Sequence, residues 1–204
     1  MAAAALLFMP ASVRAQPRFY VGLALPYTTI DGDFDGQSAL VSSSGAIVLP
    51  NIDPAIGFGL FAGFGPTPAL AFELGIQESS HDGHWAGLDF TVRLREIQLD
   101  VRVNLVSGSA TQPYVLAGLV IDRLVIDNGS TNGFEVGDGS LRGVGQHLGI
   151  GLDQFVTDHF SIGGRLVYRI LDYSSAKGLN ISGKIQDGVN GNGLTVALTT
   201  AFHF

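Results

Sequence analysis

Charged side chains recur at alternate positions in several apolar segments of the chain. In the segment 96–105, Asp100 and Arg102 alternate with aliphatic residues, and Arg165 and Arg169 do the same in the segment 160–170. Successive side chains of a β-strand point to opposite faces, so these charges share one face of their strands. The residues predicted to lie on that face are Glu73, Glu96, Asp100, Arg102, Asp153, Arg165 and Arg169. If these charges are buried away from water they must pair, because burying a single unpaired charge costs several kcal/mol.

Two other groups of residues are candidates for metal binding. Asp31, Asp33 and Asp35 match the start of a calcium-binding loop, but Ser42 stands where such a loop needs a bidentate glutamate. The three aspartates are therefore only a weak calcium candidate. The second group, in a predicted loop, is His81, Asp82 and His84. We expect neither group to hold a metal.

The composition excludes several classes of protein. Hydrophobic residues make up 46% of the chain and charged residues only 14%. Beyond the N-terminus, however, there is no run of about 18 apolar residues that would suggest a transmembrane helix. Hydrophobicity spread along alternating segments is typical of a transmembrane β-barrel. The net charge of −7 disfavours a nucleic-acid-binding surface, and the absence of cysteine excludes disulfides and thiolate metal sites.

Eight segments have the alternation of a β-strand. The last one alternates for its whole length, and it is long enough for a tilted transmembrane strand, which needs about 9–11 residues. The predicted strands are 19–27, 56–64, 70–77, 96–105, 113–123, 144–155, 160–170 and 193–204. Long loops are predicted at 31–54, 79–87, 127–142 and 173–192, with short turns between them. The facing of strand 113–123 stays open, because Gly118 and Asp122 share a face with Leu116 and Val120.

Aromatic residues lie near both ends of these strands. The residues near the short turns are Phe19, Phe64, Tyr114, Phe155, Phe160, Phe202 and Phe204. Those near the long loops are Tyr27, Phe90, Tyr168 and Tyr173. Two aromatic girdles are typical of a barrel anchored at both membrane interfaces.

A terminal strand that alternates and ends on Phe204 resembles the closing strand of bacterial outer-membrane β-barrels. With the eight segments and the loop rhythm, the chain is similar to the small OmpA/OmpX-type barrels of the porin family. The resemblance implies an all-β fold, an eight-stranded antiparallel up-and-down barrel, with periplasmic termini and short periplasmic turns. It also implies a Gram-negative outer membrane, contact with lipopolysaccharide and the barrel assembly machinery, and an assembly signal at Phe202 and Phe204.

The first 15 residues are predicted to be a signal peptide, which leaves 16–204 as the barrel domain. The stretch 2–9 is apolar, and Val13-Arg14-Ala15 before Gln16 is an A-x-A-like cleavage site. The start departs from the usual pattern, because no lysine or arginine follows Met1 directly.

Inside such a barrel we predict a charge network in which Arg102, Arg165 and Arg169 bridge Glu73 and Asp100. The network would be a structural plug or a gate on a narrow ion path. Eight strands favour the plug, since their interior is only wide enough for side chains. A soluble lipocalin-like barrel would need the reverse pattern, with apolar residues inside.

The sequence therefore predicts a non-enzymatic envelope protein that acts through its external loops and needs no cofactor. The alternative is a narrow porin that passes small solutes or ions. A lipid A-modifying enzyme is less favoured. The motif His159-Phe160-Ser161 has the His-x-Ser spacing of the deacylase type, but it lies beside a predicted periplasmic turn instead of the outer rim.

Overall fold

The computed structural model describes residues 19–36, 38–41, 45–127, 129–131, 134–136, 139–178 and 181–204. Among these residues, no helix is long and apolar enough to cross a bilayer. The strands are Phe19–Thr28 (β1), Ser38–Val41 (β2), Gly45–Val48 (β3), Asn51–Ile52 (β4), Ala55–Phe64 (β5), Leu70–Trp85 (β6), Leu88–Asn104 (β7), Thr111–Asp127 (β8), Gly129–Thr131 (β9), Phe134–Val136 (β10), Gly139–Thr157 (β11), Phe160–Gly178 (β12), Ile181–Asn190 (β13) and Gly193–His203 (β14).

Eight strands close into an antiparallel ring in the order β1, β5, β6, β7, β8, β11, β12 and β14. The last strand pairs back with the first, from Tyr20 opposite His203 to Thr28 opposite Thr195. The backbone N–H of Phe204 donates to the carbonyl of Phe19 at 2.9 Å, so the pairing extends to the last residue. The predicted eight-stranded up-and-down barrel is confirmed.

Side chains on the barrel strands have the predicted facing. On β7, Leu99 is 55% exposed on the outside and Asp100 is 3% exposed on the inside. The alternation also settles the open question on β8, because Leu116, Val120 and Asp122 are buried in the interior. Outward aliphatic and aromatic side chains form an apolar band around the barrel. One residue from each strand of this band is Leu23, Leu60, Leu74, Leu99, Leu119, Ile150, Leu166 and Leu198.

Several strands continue beyond the apolar band, where the sequence predicts loops. The predicted loop at 79–87 is wrong: β6 and β7 pair up to Trp85 and Leu88 and are joined by a two-residue turn. The predicted loops at 127–142 and 173–192 likewise contain the ends of β11 and β12 and all of β13. Beyond the apolar band the outer face of a strand meets water. Its sequence there lacks the alternating aliphatic residues by which a lipid-facing strand is recognised.

The polarity of the two faces reverses along these extensions. Above the band, Glu78 and Asp82 point outward, while Phe90, Val92 and Leu94 point inward and are buried. Residues from the connections around β2, β3 and β13 pack against these inward side chains. We call this cluster the external core: Ile30, Phe34, Val41, Leu49, Ile52, Phe90, Val92, Leu94, Leu124, Leu141, Tyr173, Ala176, Ile185 and Val189. It covers the interior at the end opposite Phe19 and Phe204.

The aromatic residues divide between the outer surface and the interior. Those exposed at the short-turn rim are Phe19, Phe64, Phe72, Phe160, Phe202 and Phe204. At the other edge of the band Tyr27, Phe58 and Tyr168 are exposed. Four residues predicted for the girdles instead point inward, because they fall on the inner positions of their strands: Phe90, Tyr114, Phe155 and Tyr173.

Candidate functional site

Arg102 is the centre of a cluster near the short-turn rim, which we call the lower cluster. Its Nη1 lies 3.3 Å from Glu73 Oε1, and its Nη2 donates to Asp153 Oδ2 at 2.6 Å. The guanidinium carbon lies 3.6 Å from the centre of the Tyr114 ring. The planar guanidinium fork suits paired carboxylates and stacking on an aromatic face. One side chain thus links β6, β7, β8 and β11 through the interior.

Two further side chains complete the lower cluster. The Tyr20 hydroxyl donates to Glu73 Oε1 at 2.5 Å. Arg165 Nη1 lies 3.8 Å from Glu73 Oε2, and its guanidinium carbon lies 5.4 Å from the centre of the Phe61 ring. Two arginines therefore face two carboxylates, and the formal charges of the lower cluster cancel.

Asp100 and His147 form a middle pair, in contact with each other over the inner face of β8. This differs from the predicted network, in which an arginine bridges Asp100. The pair fits because the residue between them is Gly118, whose position on β8 is opposite both Asp100 and His147. A Cβ atom at this glycine would fall on Asp100 Oδ1 and lie 2.9 Å from His147 Nε2.

Arg169 is the centre of the upper cluster, which lies directly below the external core. Its Nη1 pairs with Glu96 Oε1 and lies 3.9 Å from Asp122 Oδ2. Its Nη2 donates to the carbonyl of Thr29 at 2.6 Å. Gln77 Nε2 donates to Glu96 Oε2 at 2.9 Å. Arg169 therefore pairs with Glu96 and Asp122 and not with the predicted Glu73 or Asp100.

Of the His, Asp, Glu and Arg side chains in these clusters, two are not among the predicted inner-face charges, His147 and Asp122. His147 lies on the same inner face of β11 as Asp153, so the alternation of the strand was enough to predict where it points. Its pairing with Asp100 depends on the register of three strands. Asp122 was left open because apolar residues occupy both faces of β8.

The weak calcium candidate does not form a metal site in the described part of the chain. Asp31 Oδ2 accepts a hydrogen bond from the Thr29 hydroxyl at 2.8 Å, and Asp33 Oδ2 accepts one from the backbone N–H of Asn190 at 2.8 Å. Among the described residues, no group of three or more His, Asp or Glu side chains is arranged to hold a metal ion. Ser42 lies outside the described residues.

His81 and His84 lie on opposite faces of β6, so they do not share a site. His81 points inward and makes hydrogen bonds of 2.8 Å with the Ser79 hydroxyl and with the carbonyl of Asp53. His84 points outward and contacts Asp53 and Asp89.

Ser161 and His159 both contact the last strand at the short-turn rim. The Ser161 hydroxyl makes a 2.9 Å hydrogen bond with His203 Nε2. His159 Nδ1 lies 2.9 Å from the carbonyl oxygen of His203. Both side chains of the His-x-Ser motif therefore hold β12 to β14.

The barrel has a small cavity at each end. The cavity at the short-turn end has a volume of about 20 Å³ and is lined by Tyr20, Arg102 and His203 among others. That is room for about one water molecule. The cavity at the opposite end, about 170 Å³, lies beside Leu49, Ile185 and Val189 of the external core. Between these cavities lie the three charged levels.

The whole chain is similar to known outer-membrane barrels. The model of the outer membrane protein beta-barrel domain matches residues 1–202. The structure of OprG from Pseudomonas aeruginosa superposes with a TM-score of 0.67 at 14% identity, covering 95% of this chain and 99% of that one. Neisserial surface protein A gives 0.58 at 16% identity, covering 94% and 100%. A major outer membrane protein of Thermus thermophilus gives 0.54 at 12%, covering 91% and 99%. Comparison with curated protein sequences finds no match. The chain belongs to the outer membrane protein beta-barrel domain family, and its place is the bacterial outer membrane.

Proposed function

We propose that this chain is a non-enzymatic outer-membrane barrel whose interior is closed and whose external surface carries its function. The observation that supports this most strongly is the complete burial of Arg169, which is 0% exposed. Its guanidinium reaches from β12 to Glu96 on β7, three strands away around the ring. A buried arginine in a pairing of this kind is costly to move, because breaking it leaves uncompensated charge behind.

The closure has three kinds of support. The lower cluster, the middle pair and the upper cluster occupy successive levels of an interior that eight strands keep narrow. The external core then covers the external end of the barrel interior with apolar side chains, and these are unfavourable surroundings for a hydrated ion. At the level of the lower cluster, two arginines balance two carboxylates, so this level has no excess of one sign to attract ions.

We further propose the outer-membrane lipids, including lipopolysaccharide, and the barrel assembly machinery as partners of this chain. The exposed apolar band supports the contact with lipid. The outward-facing Phe202 and Phe204 at the end of the closing strand support the role of an assembly signal. A signal peptide at 1–15 remains our proposal for the N-terminus, and it lies outside the described residues.

A catalytic role receives no support from the interior clusters. Ser161 has His203 within hydrogen-bond distance, as a nucleophile has its base, but both side chains are buried, and the cavity beside His203 holds only about one water molecule, which leaves no room for a substrate. Expression of the chain should leave the mass spectrum of lipid A unchanged. A new deacylated species that disappears with Ser161→Ala would contradict the proposal.

Conductance across a planar bilayer tests the closed barrel against the narrow porin. The refolded protein should give no stable single-channel steps. Replacing cations at two levels, in Arg102→Ser with Arg169→Ser, should produce them if the variant still shows heat-modifiable migration. The matched control is Lys177→Ser with Lys184→Ser, which removes the same charge from exposed positions and should stay silent. Stable channels in the unmodified protein would favour the porin.

A further inference from the structure

Three arginines lie side by side on the outer surface of neighbouring strands. Arg95 on β7 is directly opposite Arg123 on β8, and Arg123 is directly opposite Arg142 on β11. All three side chains are exposed. Directly opposed residues on paired strands have Cβ atoms about 4.5–5.5 Å apart, and like charges in this arrangement destabilise the sheet. An anion bound between these three arginines would reduce the repulsion.

Two of these arginines have no anionic partner in the described part of the protein. Arg95 Nε donates to Glu78 Oε2 at 2.8 Å. Arg123 and Arg142 make no ion pair or side-chain hydrogen bond with any described residue. Their neighbour Arg93 differs, because its Nη2 donates to Asp127 Oδ2 at 2.7 Å. The free guanidinium groups are thus concentrated at Arg123 and Arg142.

The row lies at the edge of the apolar band. One outward position closer to the centre of the band, the three strands carry Ile97, Ile121 and Val144, which are 52%, 58% and 61% exposed. An anion bound by the arginines would therefore have hydrocarbon beside it. A lipid that carries both phosphate and acyl chains matches both the arginines and the apolar band. Arginine is well suited to phosphate because its planar guanidinium donates two parallel hydrogen bonds.

In the described part of the chain, the outward-facing lysine and arginine side chains all lie on one side of the barrel. The segments 19–28, 55–64, 70–85 and 193–203, which form β1, β5, β6 and β14, contain no lysine or arginine. Lys177 on β12 and Lys184 on β13 continue the positive surface beyond Arg142. A general electrostatic attraction to the membrane would not need this one-sided placement.

We propose that Arg123 and Arg142, supported by Arg95, form a site for a phosphate group of lipopolysaccharide in the outer leaflet. The acyl chains of the bound lipid lie along the apolar band below, over Ile121 and Val144. This site deepens the lipopolysaccharide contact proposed above and rests on it. Its phosphate bridges two like charges, so the bound lipid also stabilises the pairing of β8 with β11.

Binding of purified lipid A to the full-length protein in zwitterionic micelles tests the site. The probes are lipid A with both phosphates, dephosphorylated lipid A and inorganic phosphate. For Arg123→Gln with Arg142→Gln we expect affinity for the phosphorylated lipid to fall about tenfold or more, since two charge-assisted contacts are lost. Lys177→Gln with Lys184→Gln removes the same charge nearby and should change the affinity by only about threefold or less. Heat-modifiable migration verifies that each variant is folded.

Several results would overturn the site. Equal losses in the two double variants would show unspecific attraction, and equal binding of dephosphorylated lipid A would show that phosphate is not recognised. Displacement of the lipid by inorganic phosphate at matching concentration would identify a site for the free ion. The closed barrel is tested separately by conductance, so failure of one proposal is distinguishable from failure of the other.

Discussion

Arg169 of β12 and Glu96 of β7 meet inside the barrel although their strands are not neighbours in the ring. The pair crosses the interior where hydrogen-bonded ladders cannot reach, so it holds opposite walls at a fixed separation. The same guanidinium also serves Asp122, and it reaches the backbone of the first connection through Thr29.

Replacing Arg169 by methionine should destabilise the barrel strongly. The variant keeps most of the side-chain volume but leaves Glu96 and Asp122 buried without their cation, a loss of about 3–5 kcal/mol. Urea-induced unfolding in detergent, followed by tryptophan fluorescence, measures it. Adding Glu96→Gln to Arg169→Met should recover part of the loss. Equal stability of Arg169→Met and the unmodified protein would show that the charges are not truly buried.

Replacing Gly118 by alanine should disturb the middle pair. The added methyl group would meet Asp100 Oδ1 and the backbone oxygen of Leu99, and overpacking of this kind costs about 1–3 kcal/mol. Gly59→Ala is the matched control on another inward position, where the nearest atom is the Ile76 oxygen at 3.3 Å. Denaturation midpoints of the two variants should differ clearly. If both midpoints shift equally, the destabilisation by Gly118→Ala does not come from a lack of space around Gly118.

The turn between β6 and β7 offers a purely conformational test. Ala86 and Gly87 both have positive φ, 50° and 80°, as in the two-residue hairpin turn that favours Asn-Gly. Ala86→Asn should therefore stabilise the hairpin, by up to about 1 kcal/mol. Gly87→Ala should destabilise it by a similar amount, although no atom lies within 4 Å of the new Cβ.

Gly139→Ala is the control for this turn. A methyl group added at Gly139 would have its nearest neighbour, Ile126 Cδ1, at 4.0 Å, and the φ of Gly139 is not positive. Its replacement should leave the unfolding midpoint nearly unchanged. A stabilising effect of Gly87→Ala would contradict the turn geometry.

His84 should titrate above its ordinary value of 6.5, because its hydrogen bonds to Asp89 and then to Asp53 raise its pKa. It lies on β6 beyond the apolar band, in water. A raised folded-state pKa means that the pairing stabilises the hairpin fully below pH 6.5 and that this contribution is lost as the pH rises through the folded pKa. NMR titration should show Asp89→Asn lowering the pKa more than Asp53→Asn. A pKa that neither substitution changes would contradict these contacts.

Deleting the aromatic ring of Phe204 tests the proposed assembly signal. In cells, Phe204→Ala should reduce the folded fraction in the outer membrane, measured by heat-modifiable migration. Phe64→Ala is the control, since Phe64 is an exposed aromatic residue at the same rim but not at the chain end. Similar losses for both variants would assign the effect to interfacial anchoring instead.

The sequence was sufficient for the barrel because membrane strands carry a simple pattern. Leu99, Asp100 and Val101 alternate in polarity, and each faces the predicted way. The extensions were missed because β6 beyond Gln77 offers Ser79, His81 and Gly83 to the interior, which is not a recognisable strand pattern. Only the partner strand, with Val92 and Leu94, shows what this part of β6 packs against.

The pairing of charges could not be read in the same way. Facing is a local property, whereas a partner across the interior depends on ring closure and on the register of every strand between. Asp100 meets His147 because Gly118 lies opposite both of them. The arginine row, in contrast, could have been predicted from the sequence. It requires only that two strand pairings, β7 with β8 and β8 with β11, place Arg95, Arg123 and Arg142 opposite one another.

The reversal of polarity between Ile97 and Arg95 on β7 sets how deep the protein sits in the bilayer. Sliding the barrel inward would carry Arg95, Arg123 and Arg142 toward hydrocarbon, where the cost of a charged side chain rises from about 0–1 kcal/mol near the interface to about 2–4 kcal/mol at the midplane. The same inward slide would push Phe204 and the other aromatic residues of the short-turn rim out into water. An outward slide would instead draw the backbone of the short turns into hydrocarbon, where its polar groups have no water to bind. The two rims of the barrel thus fix its depth in the bilayer together.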